Sequence, residues 1–288
     1  MRVAHIIITH KNYSQVARLI QTMQHPQFDF YIHSDARVPA AELDNLKDLP
    51  NTFFIRKRIK CNWGGYSLLK AIFNSLSEVL ATGIEYDFIS LLSGQDYPIS
   101  PPQQFHKFLM QQKGKNFISY DESQESEWWR KAAARYEKYH FTDFRFKGKF
   151  LLERIVNKIA PERKFPEYTT LYGGNTSTWW TISRDCAVYL NQKFNGDSQL
   201  PKFLKFCWGT DEFVIPTIIM NSHFKEHTIN NNLRYIDWSE GKDSPKLFDL
   251  SDYDNIKNSK KLLARKFDIN YDRHILNKID QQLLTNHH

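Results

Sequence analysis

Cysteine is scarce in this chain: three among 288 residues, Cys61, Cys186 and Cys207, odd in number and far apart. That excludes a disulfide framework and the paired spacings that bind zinc, and it leaves free buried thiols of a reducing compartment as the reading. Long apolar runs are missing too. The opening MRVAHIIITH is too short for a signal peptide or a membrane span, and nothing later approaches the roughly 20 apolar residues that a spanning helix needs. A cytoplasmic protein is expected. No internal repeat or low-complexity linker divides the chain, so one continuous domain over 1–288 is expected, with 1–120 and 121–288 as its two halves. A recognisable nucleic-acid module is also lacking. The formal charge is +7, but the cations are scattered and interleaved with acidic residues, which argues against nucleic acid as a partner. Phosphate on a small substrate is the more economical reading of the charge, with an anionic membrane surface as a second candidate.

What is plentiful is aromatic side chains, at 15%. Most serve a core, but the apolar face of a sugar ring also stacks on Trp or Tyr. The first 120 residues alternate short β-rich runs (3–9, 28–32, 53–55, 87–92, 117–119) with stretches whose apolar residues recur at helical spacing (13–23, 67–80, 105–110). Strands alternating with helices predict an α/β fold with a mostly parallel sheet covered on both faces. Ligands of such sheets bind beyond the C-terminal ends of the strands. Residues 121–172 read as a helix-and-loop insertion carrying binding groups, among them Glu122 and Arg130. A strand over 177–182, helices over 183–193 and 199–206, a strand ending near Trp238 and an amphipathic helix over 271–284 complete the pattern.

Five places carry chemistry. Asp35 follows the second strand, where a carboxylate can accept hydrogen bonds from a ribose or base; a turn-forming Asp reads equally well. In Trp63-Gly64-Gly65-Tyr66-Ser67 the glycines permit close backbone approach, and Ser67 is placed to cap the next helix, whose free amides would suit an anion or hydroxyl. Leu92-Ser93-Gly94-Gln95-Asp96-Tyr97-Pro98 ends a buried strand abruptly. Nucleotide-sugar enzymes often carry Asp-x-Asp there to hold a metal; here Asp96 stands alone. The only literal Asp-x-Asp, Asp252-Tyr253-Asp254, lies in a polar run away from any strand end and is set aside. Finally, Asp211-Glu212 precedes the apolar run 214–220. Glu212 there is either a general base or a carboxylate stabilising a helix dipole in the first turn. Arg265-Lys266 in a short apolar frame can clamp a diphosphate in place of a metal.

Taken in order along the chain, His33-Ser34-Asp35, Trp63-Gly64-Gly65-Tyr66-Ser67, Ser93-Gly94-Gln95-Asp96-Tyr97-Pro98, Gly173-Gly174 leading to Trp179-Trp180, Asp211-Glu212, Asn232-Leu233-Arg234, Trp238 and Ala264-Arg265-Lys266-Phe267 resemble the core-2/I-branching glycosyltransferases. That family includes the branching N-acetylglucosaminyltransferases and the peptide O-xylosyltransferases. The resemblance spans almost the whole chain. It implies a GT-A-like fold, a UDP-sugar donor, inversion at the anomeric carbon, no obligatory metal or other cofactor, and a bacterial member acting on a glycan or glycoconjugate precursor, lipid-linked acceptors included. It makes 1–120 the nucleotide-binding half and 121–288 the acceptor-binding and catalytic half. By matching position, Asp35 would contact the uridine, Trp63, Gly64, Gly65 and Asp96 would line the donor site, Arg265 and Lys266 would hold the diphosphate with Lys246 as a weaker match, Glu212 would be the base, and Trp238 would line the acceptor side with Glu122 and Arg130. Where the xylosyl branch has a carboxylate before the aromatic pair, this chain has Thr178, which favours N-acetylglucosamine; the Asn232 and Ala264 runs look more like the xylosyl branch. A non-catalytic module binding nucleotide-sugars or glycans would keep the clamp and the aromatics and need no base.

Overall fold

The computed structural model describes residues 1–121, 126–196 and 199–285. Ten strands form two sheets: β1 (Val3–Thr9), β2 (Phe28–Ser34), β3 (Thr52–Phe54), β4 (Phe88–Ser93), β5 (Tyr97–Pro98), β6 (Asn116–Ile118), β7 (Trp180–Ser183), β8 (Thr228–Asn230), β9 (Arg234–Ile236) and β10 (Leu263–Arg265). The large sheet runs β3-β2-β1-β4-β7-β6-β8, and β5-β10-β9 form a small one. In the large sheet only β7 is antiparallel to its neighbours. The expected α/β class with a mostly parallel, Rossmann-type sheet is therefore what the chain adopts.

Side chains alternate across the central strands, as the period of two requires. Ala4 and Ile6 of β1 join a core with Leu91 and Trp180, covered by the helices Tyr66–Leu80, Arg184–Gly196 and Val214–Met220. Val3 and Ile7 face the opposite core with Phe28, Phe30 and Leu92, covered by Tyr13–Thr22, Pro102–Gln111, Tyr253–Asn258 and Arg273–Ile279. A strand buried on both faces favours apolar residues throughout, which is why β1, β2 and β4 read as mostly apolar runs, with His5, Asp29, His33 and Ser90 as buried polar exceptions.

Three expectations change. The tail forms a helix only over Arg273–Ile279 and then widens into a π-turn over Asp280–Leu284. The strand expected from 177 begins at Trp180, because 174–179 is a loop. Glu212 is not in the first turn of the helix Val214–Met220; it closes a separate 3₁₀ turn, Thr210–Glu212, and neither Thr210 nor Asp211 caps the helix, whose N-cap is Phe213.

Candidate active site

The central strands β1 and β4 end side by side, in register from Val3↔Phe88 to Ile8↔Ser93. Beyond their C-terminal ends lie two adjoining cavities, of about 460 Å³ and about 230 Å³. They share Ile8, His10, Trp63, Leu68, Gln95 and Lys266, so they form one elongated cleft. Asp35 and Arg37 line only the larger part. Glu212, Asp211, Arg265 and Trp238 line only the smaller.

At the Asp35 end, burial alone would push the carboxyl up. The Arg37 side chain, donating from Nε at 2.9 Å and Nη2 at 2.7 Å, and the backbone N–H groups of Arg37 and Cys61, each at 2.8 Å, bring it down to about 2 instead. Those four bonds occupy the lone pairs an ionised carboxylate presents. Asp35 therefore fixes Arg37 and the Cys61 backbone on the cavity wall, and the group offered to a ligand there is Arg37, which the sequence reading did not single out.

The Trp63 loop is built differently from the expectation. Ser67 does not cap its helix. Asp143, from the insertion, accepts from the Ser67 N–H at 2.7 Å, the Ser67 hydroxyl at 2.7 Å and Asn62 Nδ2 at 2.9 Å. The helix start is thus already filled by a carboxylate, as its exposed amides favour, and is not the anion site the sequence suggested. The two glycines make room for this arrangement. A Cβ on Gly65 would lie 2.3 Å from Asp143 Oδ1, and one on Gly64, at φ +69°, would lie 2.2 Å from Trp208 Nε1. Trp208 meets the exposed Trp63 edge to face at 5.1 Å, so an aromatic pair stands over the cleft.

Asp96 is fully buried and is not on the cleft wall. It lies 3.3 Å from Arg234 Nε and 3.9 Å from Arg265 Nη1, with the Ser93 N–H donating to it as well. Its charge is spent on holding two buried arginines, which an isolated cation in the interior requires. Arg265 is thereby set at the base of the cleft, over the Trp179 ring at 4.4 Å. Lys266 follows it and makes no ion pair among the described residues. Burial first, then the neighbouring Arg265 and Lys11, lower its pKa, with Asp268 opposing them. Lys246 is elsewhere engaged: it pairs with Asp252 at 2.5 Å and does not line the cleft. Asp252 closes a capping box with Asp249, so the literal Asp-x-Asp serves a helix start.

Glu212 lines the same part of the cleft as Arg265 and Lys266. Gly173 and Gly174 back its turn: the Gly174 N–H donates to the Glu212 carbonyl at 3.1 Å, and a Cβ on Gly173 would lie 2.7 Å from that same oxygen. Burial raises the Glu212 pKa to about 7, with adjacent Asp211 adding to the rise and Arg135, 2.5 Å away, opposing it. Asp211 is itself raised by burial while accepting from Thr178 at 2.8 Å. Arg135 is sandwiched between Trp128 and Trp208, at 4.9 and 4.6 Å. The insertion therefore does reach the site, through Arg135 and Asp143. Arg130 is exposed and does not line the cleft, and Glu122 lies outside the described residues. His10 and Trp208 also escaped the sequence reading. His10 alone carried a usable signal, its place directly after a central strand.

At the strand ends of a mostly parallel sheet, then, one cleft is lined by the carboxylate of Glu212 and by the cations Arg265 and Lys266. The model of the Core-2/I-Branching enzyme family matches residues 3–260, and the chain belongs to that family of glycosyltransferases. It is similar to a xylosyltransferase of Ciona intestinalis, 25% identical over 313 residues covering 98% of this chain and 34% of the relative. It is also similar to human xylosyltransferase 2, 27% identical over 260 residues covering 83% and 27%. The chain thus spans about a third or less of the length of the curated relatives it matches. Mouse xyloside xylosyltransferase 1 superposes with a TM-score of 0.41 at 9% identity, over 91% of this chain and 97% of that one, too loose a likeness to add to the fold described above.

Proposed function

We propose that the cleft binds a UDP-sugar and transfers the sugar, with inversion and without a bound metal, to a hydroxyl of a glycan or glycoconjugate. The observation that carries this is the order of groups along the cleft. The Asp35–Arg37 pair lines one part, Lys266 lines both, and Arg265 and Glu212 line the other. That is the order of nucleoside, diphosphate and reacting sugar along a nucleotide-sugar. Glu212 takes the proton of the acceptor hydroxyl, whose oxygen bonds to the anomeric carbon as the bond to the diphosphate breaks. Arg265 and Lys266 meet the charge left on the departing UDP. A base with a pKa of about 7 is matched to that work at neutral pH. Trp238 lines the same part of the cleft as Glu212, a position suited to stacking an acceptor sugar. What supports metal independence is the donor set. Asp96 faces two arginines, and among the described residues no group of three His, Cys, Asp or Glu converges to hold an ion.

Replacing Glu212 by Gln keeps size and packing while removing the base. Turnover should fall about 10²–10⁴-fold while UDP affinity barely moves and the fold is kept. Near-normal turnover in the folded variant would overturn the assignment and direct attention to Asp211.

For the donor sugar, N-acetylglucosamine is favoured because Thr178 occupies the position of the xylosyl-type carboxylate and spends its hydroxyl on Asp211. Xylose is the second reading, supported by the names of the relatives. Transfer from UDP-N-acetylglucosamine and UDP-xylose, each with and without chelator, separates them. Activity with UDP-N-acetylglucosamine that survives chelation is expected. Activity with UDP-xylose alone would establish the second reading, and complete, reversible loss on chelation would overturn metal independence.

A further inference from the structure

The helix Lys149–Ile159 is turned the wrong way round for a surface helix of a soluble domain. Amphipathic helices pack their apolar side inward. This one attaches to the body of the protein through polar groups: Glu153 accepts from the Phe141 N–H at 2.6 Å, Asn157 exchanges two hydrogen bonds of 2.8 Å with the Tyr139 backbone, and Lys149 donates to the Thr142 carbonyl at 2.9 Å. Residues 149, 153 and 157 are one turn apart and so form one line. The apolar residues are left facing outward, with Leu151 62%, Ile155 48% and Ile159 79% exposed along a second line and Leu152 beside it at 44%. None of the helix's residues is buried. Phe146 and Phe150, 46% and 65% exposed, extend the patch at its N-terminal end.

The exposed charges on the helix and on the turn that leads into it are of one sign. Arg145, Lys147, Arg154 and Lys158 are exposed, and none forms an ion pair among the described residues. Arg154 and Lys158 run along the side of the Leu151–Ile155–Ile159 line. The one acidic residue of the helix, Glu153, is on the inward side. An exposed apolar stripe edged by unpaired cations is complementary to a surface that is apolar within and anionic at its boundary, which is the face of a bilayer containing acidic lipids. We propose that the helix Lys149–Ile159, with Phe146 and the flanking cations, docks this protein on an anionic lipid surface, lying in the plane of the headgroups. The attachment is peripheral: among the described residues no helix is long and apolar enough to cross a membrane. The same insertion supplies Asp143 to the Trp63 loop, so the docked helix and the rim of the cleft belong to one connected segment. That geometry suits acceptors presented at a membrane. This last point rests on the proposed transferase activity; the docking itself does not.

The test is flotation of the full chain with vesicles of phosphatidylglycerol and phosphatidylcholine in equal parts, against vesicles of phosphatidylcholine alone, with no sugar nucleotide present. Binding to the anionic vesicles only, and its weakening by added salt, are expected. The double substitution Leu151→Gln and Ile155→Gln should reduce partitioning roughly tenfold or more. Replacing Arg154 and Lys158 by Gln should reduce it about fivefold for each cation removed. All four side chains are exposed and Gln is a good helix former, so melting temperature and donor turnover serve as controls for folding. Failure of the wild-type chain to float, or flotation unchanged in the Leu151→Gln, Ile155→Gln variant, would overturn the proposal. So would self-association in solution that this variant abolishes while lipid binding is absent; a second copy of the chain would then be the occupant. Because the assay uses neither donor nor acceptor, its outcome is separate from that of the activity measurements.

Discussion

Glu212 and Arg135 form the most informative pair of residues in the site, because their geometry sets a measurable titration. Burial pushes the Glu212 carboxyl to about 7, and the Arg135 guanidinium restrains that rise. A general base works ionised, so kcat/KM should fall as pH drops through the Glu212 pKa, giving an acidic limb near neutrality. Arg135→Met keeps an apolar stem between Trp128 and Trp208 but removes the restraint. The limb should then move to higher pH. Asp211→Asn removes a neighbour that raises the Glu212 pKa, and the limb should move to lower pH. A limb that stays in place in both variants would mean that another group titrates. The sequence identified Glu212 but left its role divided between base and helix-dipole partner. The structure weighs against the second role by placing Glu212 in its own 3₁₀ turn, ahead of the apolar helix.

Among the elements, those with strong local patterns were legible and those defined by distant partners were not. β1, β2 and β4 are buried on both faces and announce themselves as mostly apolar runs, and the Gly64-Gly65 pair marks the close approach expected of it. What brought them close could not be read locally. Asp143 lies 76 residues from Ser67 along the chain, and Arg135 lies 77 from Glu212. No periodicity connects such pairs, and for the same reason Ser67 was expected to cap a helix that Asp143 caps instead. Asp96 and Lys246 look like ligand contacts in sequence because their charges are visible while their buried partners Arg234 and Asp252 are not. Leu263–Arg265 pairs between β5 and β9, and this support places Arg265 on Trp179 and leaves Lys266 facing the cleft without an anion. Substituting both by Ala should weaken UDP binding by more than about tenfold, since each charge-assisted hydrogen bond is worth roughly 1.5–3 kcal/mol. Calorimetry showing unchanged affinity in the folded double variant would remove the clamp from the mechanism.

For the molecule as a whole, two histidines buried in or beside the central sheet couple stability to pH. His5 of β1 is fully buried among Phe28, Phe30 and Phe105, with centroids 4.7, 5.4 and 5.8 Å away, and neither ring nitrogen has a partner among the described residues. Burial holds its pKa down to about 3, with Arg234 adding to the effect. His33 of β2 is lowered to about 4 by burial, and its Nε2 accepts the Ile59 N–H at 2.9 Å, which only the neutral ring can do. In the unfolded chain both would titrate near 6.5. As pH falls below that value the unfolded state takes up protons that the native state refuses. Stability should therefore decline toward acid by about 1.4 kcal/mol per pH unit for each histidine. Glu212 acts in the opposite sense: its raised native pKa means that the stability it contributes when protonated is lost as pH rises from 4.5 through about 7. The two effects oppose one another and balance close to neutrality. His5→Leu fills a similar volume in an apolar pocket without a proton to accept, so urea unfolding at a series of pH values should give a shallower acid decline than in the wild type, by about the contribution of one histidine. An equal slope in the two proteins would show that His5 is protonated in the native core, and the account of the sheet as a dry aromatic interior around it would fail.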